Sequence, residues 1–154
     1  MRDIGPMMTK PDKVMQLRAA GFAELGRWQL DVNSFPHIVG DFPREPGVYS
    51  FIVDNEVLYV GSAQNGLKGR MRRYNRPNND GSNVTYMRPL IRATLLDGAE
   101  VKVFARTMKS SIVSDGVQLD SIAGLEEGLI RAWQPDWNRR GPAKLRKSKL
   151  GRHV

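Results

Sequence analysis

The chain has no cysteine among its 154 residues. Disulfides, thiolate zinc sites and thiol catalysis are therefore excluded, and the absence agrees with a cytoplasmic protein. Its two histidines, His37 and His153, stand far apart in sequence, which argues against a histidine-rich metal site. No apolar run approaches the roughly 18 residues that a membrane-spanning helix needs. The opening residues Met1-Arg2-Asp3-Ile4-Gly5 lack the apolar core of a secretory signal. Acidic residues are missing from one end: from Arg139 onward there are seven Lys/Arg and no Asp/Glu.

What is present points to a polyanionic partner. The net charge is +8, yet without the basic tail the body holds 17 basic against 16 acidic residues. Within that near-neutral body, Lys68, Arg70, Arg72, Arg73 and Arg76 form a second basic cluster with no acid among them. A basic tail alone reads as a solvated feature, whereas two separate clusters favour nucleic acid. At 40% hydrophobic and 26% charged, the composition is that of a globular protein, and the length suits one domain with a real core.

The stretch that carries most information is Gly47–Gly61. Two apolar, β-branched runs, Val48–Val53 and Val57–Val60, flank the turn signal Asp54-Asn55-Glu56 and predict a β-hairpin. Each strand carries a tyrosine beside a glycine, Gly47-Val48-Tyr49 and Tyr59-Val60-Gly61. A two-residue turn at Asp54-Asn55 sets Tyr49 and Tyr59 on opposite faces, because side chains alternate with period two. A three-residue loop, or a bulge, brings them to one face, and leaves Val48, Ile52, Leu58 and Val60 on the other. Both tyrosines can equally be core aromatics with satisfied hydroxyls.

Around the hairpin, a helix is expected over 11–24, opened by Thr9 with Asp12 three residues on, followed by a short strand over 27–32. Pro36, Pro43 and Pro46 read as chain breaks. A helix over 67–76 buries Leu67, Met71 and Tyr74, with Arg70 at the edge of that stripe and Lys68, Arg72 and Arg76 on another face. A second helix is expected over 85–96, with Pro89 tolerable only near its first turn. The third strand is expected over 100–106, and a loop over 107–120. A last helix, 121–133, places Glu126 inside the apolar stripe of Ile122, Leu125, Leu129, Ile130 and Trp133, while Glu127 faces Arg131. A carboxylate there needs a partner: a structural salt bridge is one reading, a divalent-cation site the other.

Taken together, these elements resemble the GIY-YIG nuclease superfamily, with Val in place of Ile in both halves of the signature. Four elements fall in the family's order: the tyrosine hairpin, a helical arginine with an aromatic residue four positions on, a helical glutamate, and an asparagine after a proline. The segment Leu125–Asn138, ending Pro135-Asp136-Trp137-Asn138, is particularly similar to the N-terminal nuclease domain of the excision-repair endonuclease. The likeness spans about residues 45–140 and ranks small phage and restriction-type members first. It implies an α/β (α+β) fold, a three-stranded antiparallel sheet flanked by helices. It also implies an N-terminal extension over 1–44, a nuclease domain over 45–141 and a basic, flexible tail over 142–154.

Functionally, the resemblance implies a metal-dependent DNA endonuclease, with a single Mg²⁺ (or Mn²⁺) and double-stranded DNA as partner. Carried over by position, Tyr49 and Tyr59 are the motif tyrosines, Arg70 the catalytic arginine and Tyr74 the aromatic position after it. Glu126 is the metal ligand and Asn138 the supporting amide. Tyr49, hydrogen-bonded to Tyr59, takes the proton of the attacking water, with Tyr74 as the competing base. Lys68, Arg72, Arg73, Arg76, Arg139, Arg140 and Lys144 hold the DNA backbone. Many relatives place a lysine directly after the second motif glycine, where this chain has Ser62. That departure motivates the alternative of a non-catalytic DNA- or RNA-binding module with the same fold; a homo-oligomer is left open.

Overall fold

The computed structural model describes residues 12–77 and 82–138. In chain order its elements are α1 (Lys13–Ala19), β1 (Ala23–Leu30), β2 (Pro36–Gly40), β3 (Gly47–Val53) and β4 (Glu56–Ala63). They continue with α2 (Leu67–Tyr74), α3 (Ser82–Leu96), β5 (Lys102–Thr107), β6 (Ser111–Ser114), β7 (Val117–Asp120) and α4 (Ser121–Trp133). Five strands form one sheet in the order β2-β1-β5-β3-β4, with every neighbouring pair antiparallel.

The β3–β4 hairpin resolves the register question by a route that combines both alternatives. Asp54 (φ 51°) and Asn55 (φ 64°) make a tight two-residue turn that pairs Val53 with Glu56. Two consecutive left-handed residues match the twist of the flanking strands, and Asp and Asn tolerate that conformation. By itself this turn would part the tyrosines. A bulge undoes the effect: Ile52 pairs with Val57 but Phe51 pairs with Tyr59, so Leu58 is the extra residue. Tyr49, Phe51 and Tyr59 therefore share a face. Leu58, expected on the opposite face with Val48, packs instead against the tyrosine-side core because the bulge turns it over.

The sheet has five strands, not three. β1 and β2 come from the first 44 residues, and β1 pairs with β5 to extend the sheet beyond the hairpin. Pro36 hid β2 from sequence reading, yet it opens an edge strand, where a missing N–H is harmless. α1 is shorter than expected; its cap is Asp12, which accepts from the backbone N–H groups of Val14 and Met15 at 2.9 and 3.3 Å. Thr9 lies outside the described residues. Pro89 sits well inside α3 rather than in its first turn. Residues 107–120 are not a plain loop, since β6 and β7 form a separate hairpin turning at Asp115-Gly116.

Both faces of the sheet are covered. On one, Trp28, Tyr49, Phe51 and Tyr59 pack with Leu67, Met71 and Tyr74 of α2 and Met87 and Ile91 of α3. On the other, Val48, Ile52, Val57, Val60 and Phe104 pack with Leu17 of α1 and Ile122 and Ile130 of α4. Each such side chain stabilises the fold by about 1.5–3 kcal/mol through burial. The two cores hold α2 and α4 on opposite faces of β3 and β4. That placement positions the site.

Candidate active site

The motif glycines are required by close approach. A Cβ on Gly47 would lie 2.0 Å from the Arg106 carbonyl oxygen across the β3–β5 ladder. A Cβ on Gly61 would lie 2.7 Å from both Cζ and the hydroxyl of Tyr49, and 2.8 Å from the Tyr59 ring. Tyr49, opposite Gly61 in the ladder, thus lies across bare backbone. The glycine makes room for the tyrosine.

Over that space, three tyrosines and an arginine converge. The hydroxyls of Tyr49 and Tyr74 lie 2.6 Å apart, and Arg70 Nε donates to the Tyr49 hydroxyl at 3.1 Å. The Arg70 guanidinium also sits 5.3 Å from the Tyr74 ring centroid. Tyr49 contacts the Tyr59 ring at 6.1 Å and the Tyr74 ring at 5.9 Å between centroids. The resemblance paired Tyr49 with Tyr59, but the hydroxyl of Tyr49 is engaged by Tyr74 and Arg70. α2 explains this: Arg70 and Tyr74 are one helical turn apart and both reach the same strand pair.

The electrostatics separate these groups. Burial pushes the Tyr74 phenol well above its ordinary pKa, reinforced by Tyr49 and Tyr59. Burial likewise raises Tyr59; the nearby Tyr49 and Glu126 add to the shift, and a hydrogen bond with Tyr74 and the Arg70 charge oppose it. Burial disfavours the Arg70 cation, but the oxygens of Tyr49 and Tyr74 outweigh it and raise its pKa. Arg70 is a fixed charge beside Tyr49. A guanidinium has five N–H donors, and Nε is the one committed to Tyr49.

Glu126 approaches from the other helix. It is half-buried on α4, and Ser62 Oγ donates to its Oε1 at 2.8 Å. Ser62 follows Gly61 on β4, so alternation turns its side chain to the face that α4 covers. A second tie lies at the ends of these elements: Gln64, just past β4, donates through Nε2 to both carboxylate oxygens of Asp120, which caps α4 by accepting from Ala123 N at 2.9 Å. Those hydrogen bonds hold the Asp120 carboxyl below its ordinary pKa. Glu127 forms the expected surface pair with Arg131 at 4.0 Å.

Asn138 sits at the outer edge of β4. Its amide accepts from Val60 N at 2.9 Å and donates to Val60 O at 2.8 Å, a two-bond pairing that stands in for a neighbouring strand. At the opposite edge Asn75 does the same for Ile38 of β2, at 2.6 and 2.9 Å. Asn75, Ser62 and Gln64 were not among the site residues drawn from sequence. Only Ser62 carried a signal, through its place after the motif glycine. Arg72 and Arg73 are exposed on α2, Arg76 is exposed two residues past its end, and Lys68 is half-exposed. Arg139, Arg140 and Lys144 lie outside the described residues.

Among the described residues there is no cluster of three or more His, Asp or Glu side chains. A half-buried carboxylate beside a hydroxyl suits a hard cation that keeps several of its waters, as Mg²⁺ does, and does not suit zinc. The donor set fits Mg²⁺. No helix among the described residues is long and apolar enough to cross a membrane.

The architecture is a mixed α/β one, a five-stranded antiparallel sheet with helices on both faces. The solved structure of a glutamate-to-alanine mutant of bacteriophage T4 EndoII matches it with a TM-score of 0.64, covering 82% of this chain and 98% of that one. At 20% sequence identity the likeness is one of fold. The restriction endonuclease HPY188I in complex with product DNA is a looser neighbour, with TM-score 0.47 and 16% identity over 86% of this chain and 84% of that one. No protein-family model matches the chain, and no curated protein matches it in sequence.

Proposed function

We propose that this chain is a divalent-metal-dependent DNA endonuclease of the GIY-YIG type. One observation carries the reading: the Tyr49 hydroxyl meets Tyr74 at 2.6 Å and Arg70 Nε at 3.1 Å beside Gly61, while Glu126 is bonded at 2.8 Å to Ser62, the next residue of the same strand. The residues that the resemblance names are thus gathered around one strand pair, β3 and β4. The resemblance requires that convergence, whereas separate structural roles would not.

Phosphodiester hydrolysis needs an activated water, charge neutralisation at the phosphate and help for the leaving oxygen. Glu126 would hold Mg²⁺ (or Mn²⁺), which supplies Lewis-acid stabilisation of the phosphate and leaving oxygens. Arg70 keeps Nε on Tyr49 and offers its terminal N–H groups to the non-bridging oxygens. Tyr49 is the better base of the two candidates. Burial pushes the Tyr74 phenol well up, whereas Tyr49 shares a hydrogen bond with Tyr74 and accepts another from the Arg70 guanidinium. Asn138 keeps β4 in register beside Gly61. Lys68, Arg72, Arg73 and Arg76 supply backbone contacts to DNA, joined by Arg139, Arg140 and Lys144 of the basic tail.

Supercoiled plasmid incubated with Mg²⁺ or with EDTA tests the reading. Nicked or linear product that disappears with EDTA is expected. Tight, salt-sensitive DNA binding without cleavage of several plasmids would instead favour the non-catalytic module, for which the serine at position 62 is the motivating feature.

A further inference from the structure

We propose that Ser62 Oγ is a second protein ligand to the divalent cation held by Glu126; the inference rests on the endonuclease reading above. The geometry is the first argument. Magnesium binds oxygens at about 2.0–2.1 Å in near-octahedral arrangement, so adjacent ligand oxygens lie about 2.9 Å apart. Ser62 Oγ and Glu126 Oε1 lie 2.8 Å apart. The pair already spans one edge of such an octahedron without moving either side chain.

Placement is the second argument. Ser62 belongs to an edge strand whose register is fixed on both sides, by the ladder with β3 and by Asn138 on Val60. Glu126 is fixed to the same strand end by the Gln64–Asp120 tie at the start of α4. Both oxygens are thus presented by held elements, and both residues are half-exposed, so a hydrated cation can reach them. The charge also agrees. One carboxylate and one neutral hydroxyl leave an ion net positive, as stabilising a phosphate requires. Without metal the hydroxyl keeps its proton and donates it in a hydrogen bond to Oε1; on binding, an oxygen lone pair turns to the cation and the O–H to water.

The test is metal binding without DNA. Free Mn²⁺ is counted by electron paramagnetic resonance for the full chain and for Ser62→Ala and Glu126→Ala. Ultraviolet absorption then follows Cd²⁺ added to Ser62→Cys, whose thiol is the only one in a chain without cysteine. Urea midpoints confirm that each variant is folded. Ser62→Ala should weaken Mn²⁺ binding by about tenfold or more, the loss typical when a group supporting a metal is removed. Ser62→Cys should show a sulfur-to-cadmium charge-transfer band that disappears when Glu126→Ala is added.

Unchanged Mn²⁺ affinity in Ser62→Ala overturns the proposal. So does weakened affinity without the cadmium band, which would make Ser62 a positioning residue acting through Glu126. Unchanged Mn²⁺ binding in Glu126→Ala would instead sink the metal site of the endonuclease reading itself.

Discussion

At the scale of single residues, the account turns on how one phenol differs from its neighbours. Tyr49 accepts from Arg70 and shares a hydrogen bond with Tyr74, while burial raises the phenols of Tyr59 and Tyr74. Arg70→Lys keeps a positive charge but loses the planar fork that serves Tyr49 and phosphate together. Cleavage should fall by about 100-fold, the scale of one lost transition-state donor, with the urea midpoint nearly unchanged. Alkaline stability offers an independent check. The unfolded chain ionises tyrosine near pH 10, whereas the folded chain retains the protons of Tyr59 and Tyr74. Their contribution is whole below about pH 10 and is lost as pH rises above it. Urea midpoints measured from about pH 9 to 11 should therefore fall, and fall less steeply in Tyr74→Phe. Gly61→Ala adds a Cβ 2.7 Å from the Tyr49 hydroxyl. It should cost about 1–3 kcal/mol by denaturant unfolding, as overpacking does, and reduce cleavage by moving Tyr49.

At the scale of elements, the sheet is closed at both edges by asparagine amides rather than by further strands. Asn138→Ala strips Val60 of both backbone partners at a buried position. Unsatisfied buried groups cost about 1–3 kcal/mol each, and amide hydrogen exchange at Val60 should accelerate accordingly. Asn75→Ala should act likewise at Ile38, at the other edge. Elements with a strong local signal were legible in sequence. α4 spans the residues its apolar stripe predicts, and α2 buries the expected Leu67, Met71 and Tyr74. The parts that escaped depend on partners distant in the chain. Nothing local says that Leu58 forms a bulge, that Tyr74 bonds to a tyrosine 25 positions away, or that Asn75 pairs with a strand 37 positions away. β6 and β7 escaped for the opposite reason. Ile112, Val113, Val117 and Leu119 are all exposed, so no buried face imposes a pattern on them.

At the scale of the whole molecule, two cores on opposite faces of one sheet bring α2 and α4 to the same strand pair. The first supplies Arg70 and Tyr74, the second Glu126. Charge follows the same division, since the exposed basic side chains of α2 flank the tyrosine face. If these contact phosphates, the logarithm of DNA affinity falls with the logarithm of salt by about 0.9 per phosphate neutralised. Replacing Arg72 and Arg76 together with Gln should lower that slope by about 2 units in fluorescence anisotropy titrations.

The central claim is that Glu126 serves cleavage and not binding or folding. The most direct measurement sets Glu126→Ala beside the parent chain, comparing Mg²⁺-dependent plasmid cleavage with DNA affinity measured in EDTA. The account predicts cleavage reduced to background, with affinity within about threefold of the parent, since a lost metal ligand removes chemistry but no phosphate contact in EDTA. Cleavage that survives in Glu126→Ala would contradict it.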